Sequence, residues 1–190
     1  SDMLSAYVFS SGVVLIDLPA TAGAFYSLST DWVAAGDFSI TVNLETTLVG
    51  QQFIAGFSSD KYLRVDINNN GFIFFLVGDG SNWKVLLTGT ISVRDGDLHT
   101  VKVSKVGFVY TIFVDGVQDV AVTVTNAVDP RISFIAKAST TQTFDGILSD
   151  GDLTDITTPA NSLEFELSNL TANTETNNGV TLTYNNIAPT

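Results

Sequence analysis

DGDLHTVKV, from Asp95 to Val103, is followed after Gly107 by YTIFVDG, from Tyr110 to Gly116. In both segments apolar and polar residues alternate, which places successive side chains on opposite faces of a β-strand. The glycine between the segments and the Asp-Gly pair at the end tolerate the positive φ angles that tight turns require. The two segments therefore predict a β-hairpin.

The same alternation runs through the rest of the 190-residue chain, and no segment has the periodicity of a convincing helix. Short alternating segments separated by turn residues are typical of an antiparallel β-sandwich. We therefore predict an all-β jelly roll with little or no helix. Besides the hairpin, the predicted strands are Phe38–Leu44, Leu63–Ile67, Phe72–Val77, Lys84–Leu87, Val120–Val124, Ile132–Ala136, Leu163–Leu167 and Val180–Tyr184.

The length of the chain predicts a single domain over residues 1–190. Residues 1–30 are expected to form N-terminal strands or an extension, with residues 1–3 a remnant of cloning. Residues 160–190 are expected to hold the closing strands. Within them, the Thr- and Asn-rich stretch Asn169–Gly179 is predicted to be a surface loop.

Composition excludes several classes of function. Twenty Asp and Glu against eight Lys and Arg give a formal charge of −12, which repels polyanions, so no nucleic-acid partner is expected. The absence of cysteine removes disulfides and thiolate zinc sites, and a single histidine argues against a catalytic triad. No run of about 18 uncharged apolar residues is present, so no membrane insertion is expected.

Several segments, taken in order, carry a family resemblance. They are Asp37–Val42, Phe53–Gly56, Tyr62–Ile67, the hairpin described above and Phe144–Asp150. Their order and spacing resemble the laminin G-like and pentraxin-like group of concanavalin A-like jelly-roll modules. The resemblance implies a β-sandwich that acts by binding or assembly, because one sandwich scaffold hosts lectins, adhesion domains, hydrolases and capsid parts.

The last strand resembles closing strands found in bacteriophage proteins. The segment Leu163–Ile187, which contains Gly179–Asn186, is similar to the closing strands of jelly-roll modules in tail and capsid-associated proteins. We therefore predict a virion domain, in a tail, fibre or capsid surface, that contacts other virion proteins, further copies of itself or a host glycan. The alternative is a cellular carbohydrate-binding or adhesion module that is extracellular or at the cell surface.

Carbohydrate sites in sandwich lectins combine an exposed aromatic ring with amide or carboxylate groups. Trp32 is one secondary aromatic candidate. Trp83 beside Asn82, in the turn that follows Asp79, has the full composition, and Tyr62 is the other secondary candidate. The alternative is that Trp83 begins a strand and packs into the core. These four residues are the predicted glycan site.

The resemblance also implies a calcium site, because many domains of this group hold a hard cation at the rim of the sandwich. Asp79 lies just after the strand that carries the family's first ligand, and Asp145, Asp150 and Asp152 are a second candidate set. Asp-rich turns also form for conformational reasons alone. Calcium is therefore one alternative, and no cofactor is the other.

Catalysis is the third and least favoured prediction. Glu164 and Glu166 lie two residues apart, as the carboxylates of a jelly-roll glycoside hydrolase do. The E-x-D-x-x-E motif of that family lacks its Asp and its last Glu here, so a solvated strand face explains the pair. His99 is expected to pack and form hydrogen bonds, since no G-x-S-x-G motif supplies a nucleophile. We predict that the chain is not an enzyme.

Overall fold

A computed structural model of the chain describes residues 6–8, 14–18, 25–57, 61–137, 144–165 and 174–185. These residues form sixteen strands and one 3-10 turn at Pro159–Asn161, with no α-helix among them. The strands build two antiparallel eight-stranded sheets. The sheets share one hydrophobic core between them, so the predicted all-β sandwich is confirmed.

The first sheet has the strand order β1-β2-β13-β4-β9-β10-β11, and β14 pairs with β13. It contains the hairpin from which the fold was predicted, as β9 and β10. Its strands are β1 Ala6–Val8, β2 Val14–Leu18, β4 Phe38–Glu45, β9 His99–Val106, β10 Val109–Val114, β11 Val117–Thr123, β13 Gly146–Asp155 and β14 Leu163–Phe165.

The second sheet has the strand order β15-β16-β3-β12-β5-β6-β7-β8. Its strands are β3 Phe25–Val33, β5 Gln52–Gly56, β6 Lys61–Ile67, β7 Phe72–Gly80, β8 Trp83–Ser92, β12 Arg131–Ile135, β15 Thr174–Asn177 and β16 Val180–Asn185. The edge strands β8 and β11 lie beside each other at one side of the sandwich.

Aromatic side chains connect the two sheets through the core. Trp32 from the second sheet meets Phe38 from the first with ring centroids 6.0 Å apart. Phe38 packs edge-on against Phe75 at 6.4 Å, and Phe75 meets Tyr110 at 6.2 Å. All four side chains are at most 5% exposed, so this chain of rings provides a large share of the apolar area that folding buries.

The turns follow the residues that the sequence places in them. Asp115 and Gly116 have φ angles of 53° and 77° and form the two-residue turn between β10 and β11. Two successive positive φ angles are the signature of the turn type that matches the twist of a hairpin. Asn178 and Gly179, with φ of 47° and 75°, make the same kind of turn between β15 and β16.

One prediction about the C-terminal part is wrong. The stretch Asn169–Gly179 was expected to be a loop, but Thr174–Asn177 forms strand β15 and pairs with β16. The Asn178-Gly179 turn explains the difference, because it folds the polar segment back onto the neighbouring strand. Residues 166–173 lie outside the described residues. Glu166 and the end of the strand predicted at Leu163–Leu167 are among these undescribed residues.

Candidate functional site

The outward face of the second sheet is unusually apolar. A sandwich strand that faces water normally presents polar side chains there. Instead Phe53 and Leu76 are 1% and 2% exposed, although neither belongs to the cluster of residues that forms the core between the sheets. Both side chains are therefore buried on the outside of the sheet. We call the outward surface of β5, β6, β7, β8 and β12 the aromatic face.

Arg64 occupies the middle of the aromatic face. Its guanidinium carbon lies 5.3 Å from the ring centre of Phe53 and 5.7 Å from that of Trp83. Gly56, directly opposite Arg64 on β5, has no side chain and so leaves room beside the guanidinium. Arg64 Nε lies 2.9 Å from Asp66 Oδ2, and 27% of the Arg64 side chain stays exposed. The guanidinium thus lies near both rings, and part of the Arg64 side chain is accessible.

Asp66 is an unusual carboxyl group. It is 0% exposed, and Gln51 Nε2 donates a 2.9 Å hydrogen bond to its Oδ2. Its other oxygen, Oδ1, has no hydrogen-bond partner within the described part of the chain. Burial raises the pKa of Asp66 to about 6, against the opposing effects of Arg64 and Gln51. Asp66 therefore changes charge in a mildly acidic solution.

A second cation and ring pair lies near the start of β6. Arg131 stacks over the Tyr62 ring at 4.9 Å, and its nitrogens donate hydrogen bonds of 3.0 Å and 2.6 Å to Asp129. Tyr62 also packs edge-on against Phe57, with centroids 4.9 Å apart. Tyr62 lies against Gly80, where any side chain would collide with its ring. Tyr62 is thus a fixed and half-buried platform.

Lys137 provides a third pair of this kind. Its Nζ lies 3.7 Å from the ring centre of Phe25 and 5.3 Å from that of Phe134. Burial lowers the pKa of Lys137. Three of the eight Lys and Arg residues are therefore stacked on aromatic rings of the second sheet, in a chain whose formal charge is −12. Two of these three, Arg64 and Arg131, are also paired with the carboxylates of Asp66 and Asp129.

The structure places the four predicted glycan-site residues at one end of the second sheet. Trp83 begins β8, as expected if it packed into the core, but its half-buried ring lies over Arg64 on the outward side. Tyr62 is on the adjacent part of the same sheet. Asp79 and Asn82 form the turn between β7 and β8, in which Asp79 Oδ1 accepts the Asn82 N–H at 2.7 Å.

Asp79 is fully engaged within its own turn. Lys84 Nζ lies 2.8 Å from its Oδ2, and the backbone N–H of Ser81 donates to its Oδ1 at 2.9 Å. The Lys84 hydrogen bond, followed by the backbone donors, lowers the pKa of Asp79. This carboxylate stabilises the turn through three hydrogen bonds.

Of the remaining calcium candidates, Asp150 and Asp152 lie on β13 of the first sheet and Asp145 directly precedes that strand. Asp150 has a φ of 50° at a bulge in β13 and accepts a 2.9 Å hydrogen bond from Asn43. Burial, and then the charges of Glu164 and Asp150, raise the pKa of Asp152. Among the described residues no group of three or more acidic or histidine side chains has metal-binding geometry. Calcium also takes backbone carbonyl, amide and water oxygens, so calcium stays a prediction.

His99 is held between two carboxylates. Its Nδ1 lies 2.8 Å from Asp115 Oδ2 and its Nε2 lies 2.9 Å from Asp95 Oδ1. Burial lowers the pKa of His99, but the hydrogen bonds and charges of the two Asp residues outweigh it, and the net shift is upward. With both ring nitrogens engaged, His99 has no free nitrogen for acid or base chemistry, in agreement with the packing role predicted for it.

Sequence reasoning missed Arg64, Asp66 and Phe53. A signal was present, because Tyr62, Arg64 and Asp66 alternate with the core residues of β6 and therefore share its outward face. Their burial depends on rings from β5 and β8, which only the pairing of the strands brings near.

Comparison with known proteins agrees with this architecture. The family model of the laminin G domain matches residues 46–173. That is more than half of the chain, which therefore belongs to the laminin G domain family. No curated protein matches it. In the part of the chain that the structure describes, no helix is long and apolar enough to cross a membrane.

Similar solved structures support the fold. Mouse laminin alpha1 chain domains LG4-5 align with a TM-score of 0.54 and 19% identity, covering 87% of this chain and 46% of that one. A candidate carbohydrate-binding protein of Bacteroides ovatus has a TM-score of 0.61 and 10% identity, with coverage of 86% and 58%. A heptameric pentraxin of Limulus polyphemus has a TM-score of 0.55 and 11% identity, with coverage of 74% and 75%. The chain thus spans about half the length of the first two structures.

Proposed function

We propose that this chain is a non-catalytic glycan-binding module that acts outside the cell or at its surface, and that its ligand is an acidic glycan. The observation that carries the proposal is the position of Arg64, stacked between Phe53 and Trp83 on the outward face of a sheet. The family and the carbohydrate-binding description of the Bacteroides ovatus protein support the choice of a glycan.

The aromatic face supplies the two kinds of contact that an acidic sugar needs. An aromatic ring such as Trp83 packs against the apolar face of a pyranose. The exposed edge of a guanidinium donates charge-assisted hydrogen bonds to a carboxylate or sulfate, for which its planar fork is suited. Arg64 and Arg131 supply such edges. Because the rings hold both guanidinium groups in place, little side-chain entropy is lost when a ligand binds.

The cations of the aromatic face favour an acidic glycan over a neutral one. The whole chain carries a formal charge of −12, which repels acidic polymers at long range. Local donors are therefore needed to hold such a polymer, and Arg64 and Arg131 supply them although each is paired with one carboxylate. A neutral glycan would gain little from them.

The experiment is a titration of the full chain with an oligogalacturonate, a dextran sulfate oligosaccharide and neutral dextran. We expect the two acidic glycans to bind and neutral dextran not to. Trp83→Ala and Arg64→Gln should each weaken binding by about tenfold or more, the effect of losing one charged hydrogen bond or one stacked ring. Circular dichroism verifies that both variants are folded.

Lys102→Gln is the matched control, because Lys102 also lies over a ring, that of Phe113 at 5.8 Å, but on the first sheet. It should leave acidic glycan binding unchanged. Equal binding by the wild type and both aromatic-face variants would contradict the proposal, as would binding of neutral dextran with the same affinity.

A virion role remains a prediction. Tail or capsid genes beside the gene for this chain would support it. Calcium also remains a prediction, and a rise in melting temperature at millimolar calcium would support it. The engagement of Asp79 by Lys84 and its own turn favours the absence of a shift.

A further inference from the structure

A cavity of about 270 Å³ opens beside strand β3, where that strand separates from its neighbours. β16 pairs with β3 only as far as Leu28, and the pairing of β3 with β12 passes from Ser27 directly to Trp32. Such a bulge bends a strand and interrupts its ladder, which leaves space at the edge of the sheet. We call this space the β3 cavity. It is lined by Asp31, Trp32 and Val33 of β3, Asn161 of the 3-10 turn, Asn178 of the β15–β16 turn and Val180 of β16.

Three polar side chains line the β3 cavity, and each has an oxygen that accepts no hydrogen bond within the described part of the chain. These oxygens are Asp31 Oδ2, Asn161 Oδ1 and Asn178 Oδ1. The amide nitrogens are already engaged, since Asn178 Nδ2 donates to the Ser162 carbonyl at 2.6 Å and Asn161 Nδ2 to Asp155 Oδ2 at 3.3 Å. These bonds also hold the two amide groups in place. The side chains of the cavity therefore offer mainly acceptors to a ligand.

The carboxylate of Asp31 adds a negative charge to these acceptors. Ser133 Oγ donates a 2.7 Å hydrogen bond to its Oδ1, and no ion pair of the described residues includes Asp31. Arg131 lies within electrostatic range of Asp31, but its nitrogens are bound to both oxygens of Asp129. None of the described residues that line the cavity is Lys, Arg or His. The site thus favours a cation, which the formal charge of −12 also attracts at long range.

From this geometry we propose that the β3 cavity is a second binding site, for an amino-sugar residue of a cationic glycan. The ammonium group of the sugar would bind Asp31, and its hydroxyl groups would donate to the amide oxygens of Asn161 and Asn178. An amino sugar carries its ammonium group next to hydroxyl groups, so a single residue can supply donors to all three acceptors.

The size and walls of the β3 cavity favour a sugar over a simple alkylamine. Its volume is close to the lower end of the range for ligand pockets, about 300 Å³, and an ammonium group alone would leave most of it to water. Val33, Val180 and the edge of Trp32 provide apolar walls for the C–H faces of a sugar ring. The site takes a ligand of the opposite charge to that of the aromatic face, and it does not rest on the function proposed for that face.

The test is a calorimetric titration of the full chain, in a mildly acidic buffer that keeps the sugar amine protonated. The ligands are chitosan tetraose, N-acetylchitotetraose and cellotetraose, which share one β-linked backbone and carry an ammonium, an amide and a hydroxyl group at the same carbon. We expect saturable binding of chitosan tetraose, and binding of the other two that is about tenfold or more weaker.

Two variants locate the binding in the β3 cavity. Asp31→Asn removes the charge but keeps an acceptor for Ser133, and it should weaken binding of chitosan tetraose by about tenfold or more. Ala160→Trp fills the cavity without changing the charge, at an exposed residue that also lines it, and should have the same effect. Circular dichroism and melting temperature verify that both variants are folded.

Asp97→Asn is the matched control, because it changes the net charge by the same amount at an exposed carboxylate away from the cavity. It should bind chitosan tetraose as the wild type does, and so should Arg64→Gln. Asp31→Asn and Ala160→Trp should in turn keep the wild-type affinity for a dextran sulfate oligosaccharide, so that either site can fail without the other.

Four results would overturn the second site. Equal affinity for the three tetrasaccharides would exclude recognition of the ammonium group. Equal losses in Asp31→Asn and Asp97→Asn would mean general attraction to an acidic protein, and undiminished binding by Ala160→Trp would place the ligand elsewhere. Binding of the diamine cadaverine as tightly as chitosan tetraose would exclude a sugar as the ligand.

Discussion

Asp119 on the first sheet accepts hydrogen bonds from Thr90 on the second. The Thr90 backbone N–H donates to Asp119 Oδ2 at 2.8 Å, and its hydroxyl donates to Oδ1 at 2.6 Å. The N–H of Ile91 also donates to Asp119, at 3.2 Å. β8 and β11 are the edge strands on this side of the sandwich. One carboxylate thus joins the two sheets and occupies backbone donors that would otherwise be open to another chain.

Replacing Asp119 by Ala should destabilise the protein and expose the edge. We expect a loss of about 1–3 kcal/mol in the free energy of unfolding, because the donors on β8 lose a charged acceptor. Concentration-dependent association should accompany it. Denaturant unfolding and light scattering measure the two effects.

Asp97→Ala is the control for this change, since Asp97 is exposed and its carboxylate makes no contact among the described residues. Gly89→Ala should act in the same direction as Asp119→Ala, because a methyl group there collides with the Asp119 carboxylate. If Asp119→Ala matched the Asp97→Ala variant in both assays, edge protection by Asp119 would be excluded.

His99 should make stability depend on pH. Its pKa is raised in the folded state, so its ion pairs contribute fully below the unfolded pKa of 6.5 and are lost as pH rises through the folded pKa. His99→Gln should therefore cost roughly 1 kcal/mol at about pH 5.5 and less at about pH 9. The figure is modest because both carboxylate partners are half-exposed. An equal cost at both pH values would refute the doubly paired, charged His99.

Asp66 should also make the protein less stable as pH rises, but over a lower pH range. Its folded pKa of about 6 is above the ordinary value of 3.8, so the folded protein binds the proton more tightly. The free energy of unfolding should decrease as pH rises from about 4 to about 6, and then level off. Asp66→Asn should lose this dependence, which denaturant unfolding of both proteins across that range would detect.

The same titration should modulate ligand binding. Below the pKa of Asp66 the charge of Arg64 is no longer balanced by its partner, so a dextran sulfate oligosaccharide should bind more tightly at pH 5 than at pH 7. Sulfate keeps its charge over this range. Asp66→Asn should bind with the same affinity at both pH values, and a wild type without pH dependence would show that Asp66 does not control Arg64.

The strands could be predicted because their alternation is local, and the turns because Asn-Gly and Asp-Gly occupy left-handed conformations. The face occupied by Trp83 could not. β7 and β8 change register between Val77 and Gly78, and a shift of one residue moves a side chain to the opposite face of a sheet. Such a bulge leaves no trace in the alternation of β8.

The side chains that form the aromatic face were harder to predict than the strands, because they come from segments that are distant in the sequence. The alternation of β6 places Arg64 and Asp66 on the face opposite Leu63 and Val65. Their burial requires rings from two other strands.

The two tryptophans allow a direct measurement of where an acidic glycan binds. Trp32 is 3% exposed and its Nε1 donates to the Asn161 carbonyl at 2.9 Å, whereas Trp83 is half-buried on the aromatic face. A fluorescence titration with oligogalacturonate would compare Trp32→Phe, in which only Trp83 emits, with Trp83→Phe, in which only Trp32 emits. We predict a saturable change in the emission of Trp32→Phe and none in that of Trp83→Phe. No change in Trp32→Phe, or an equal change in both variants, would contradict glycan binding at the aromatic face.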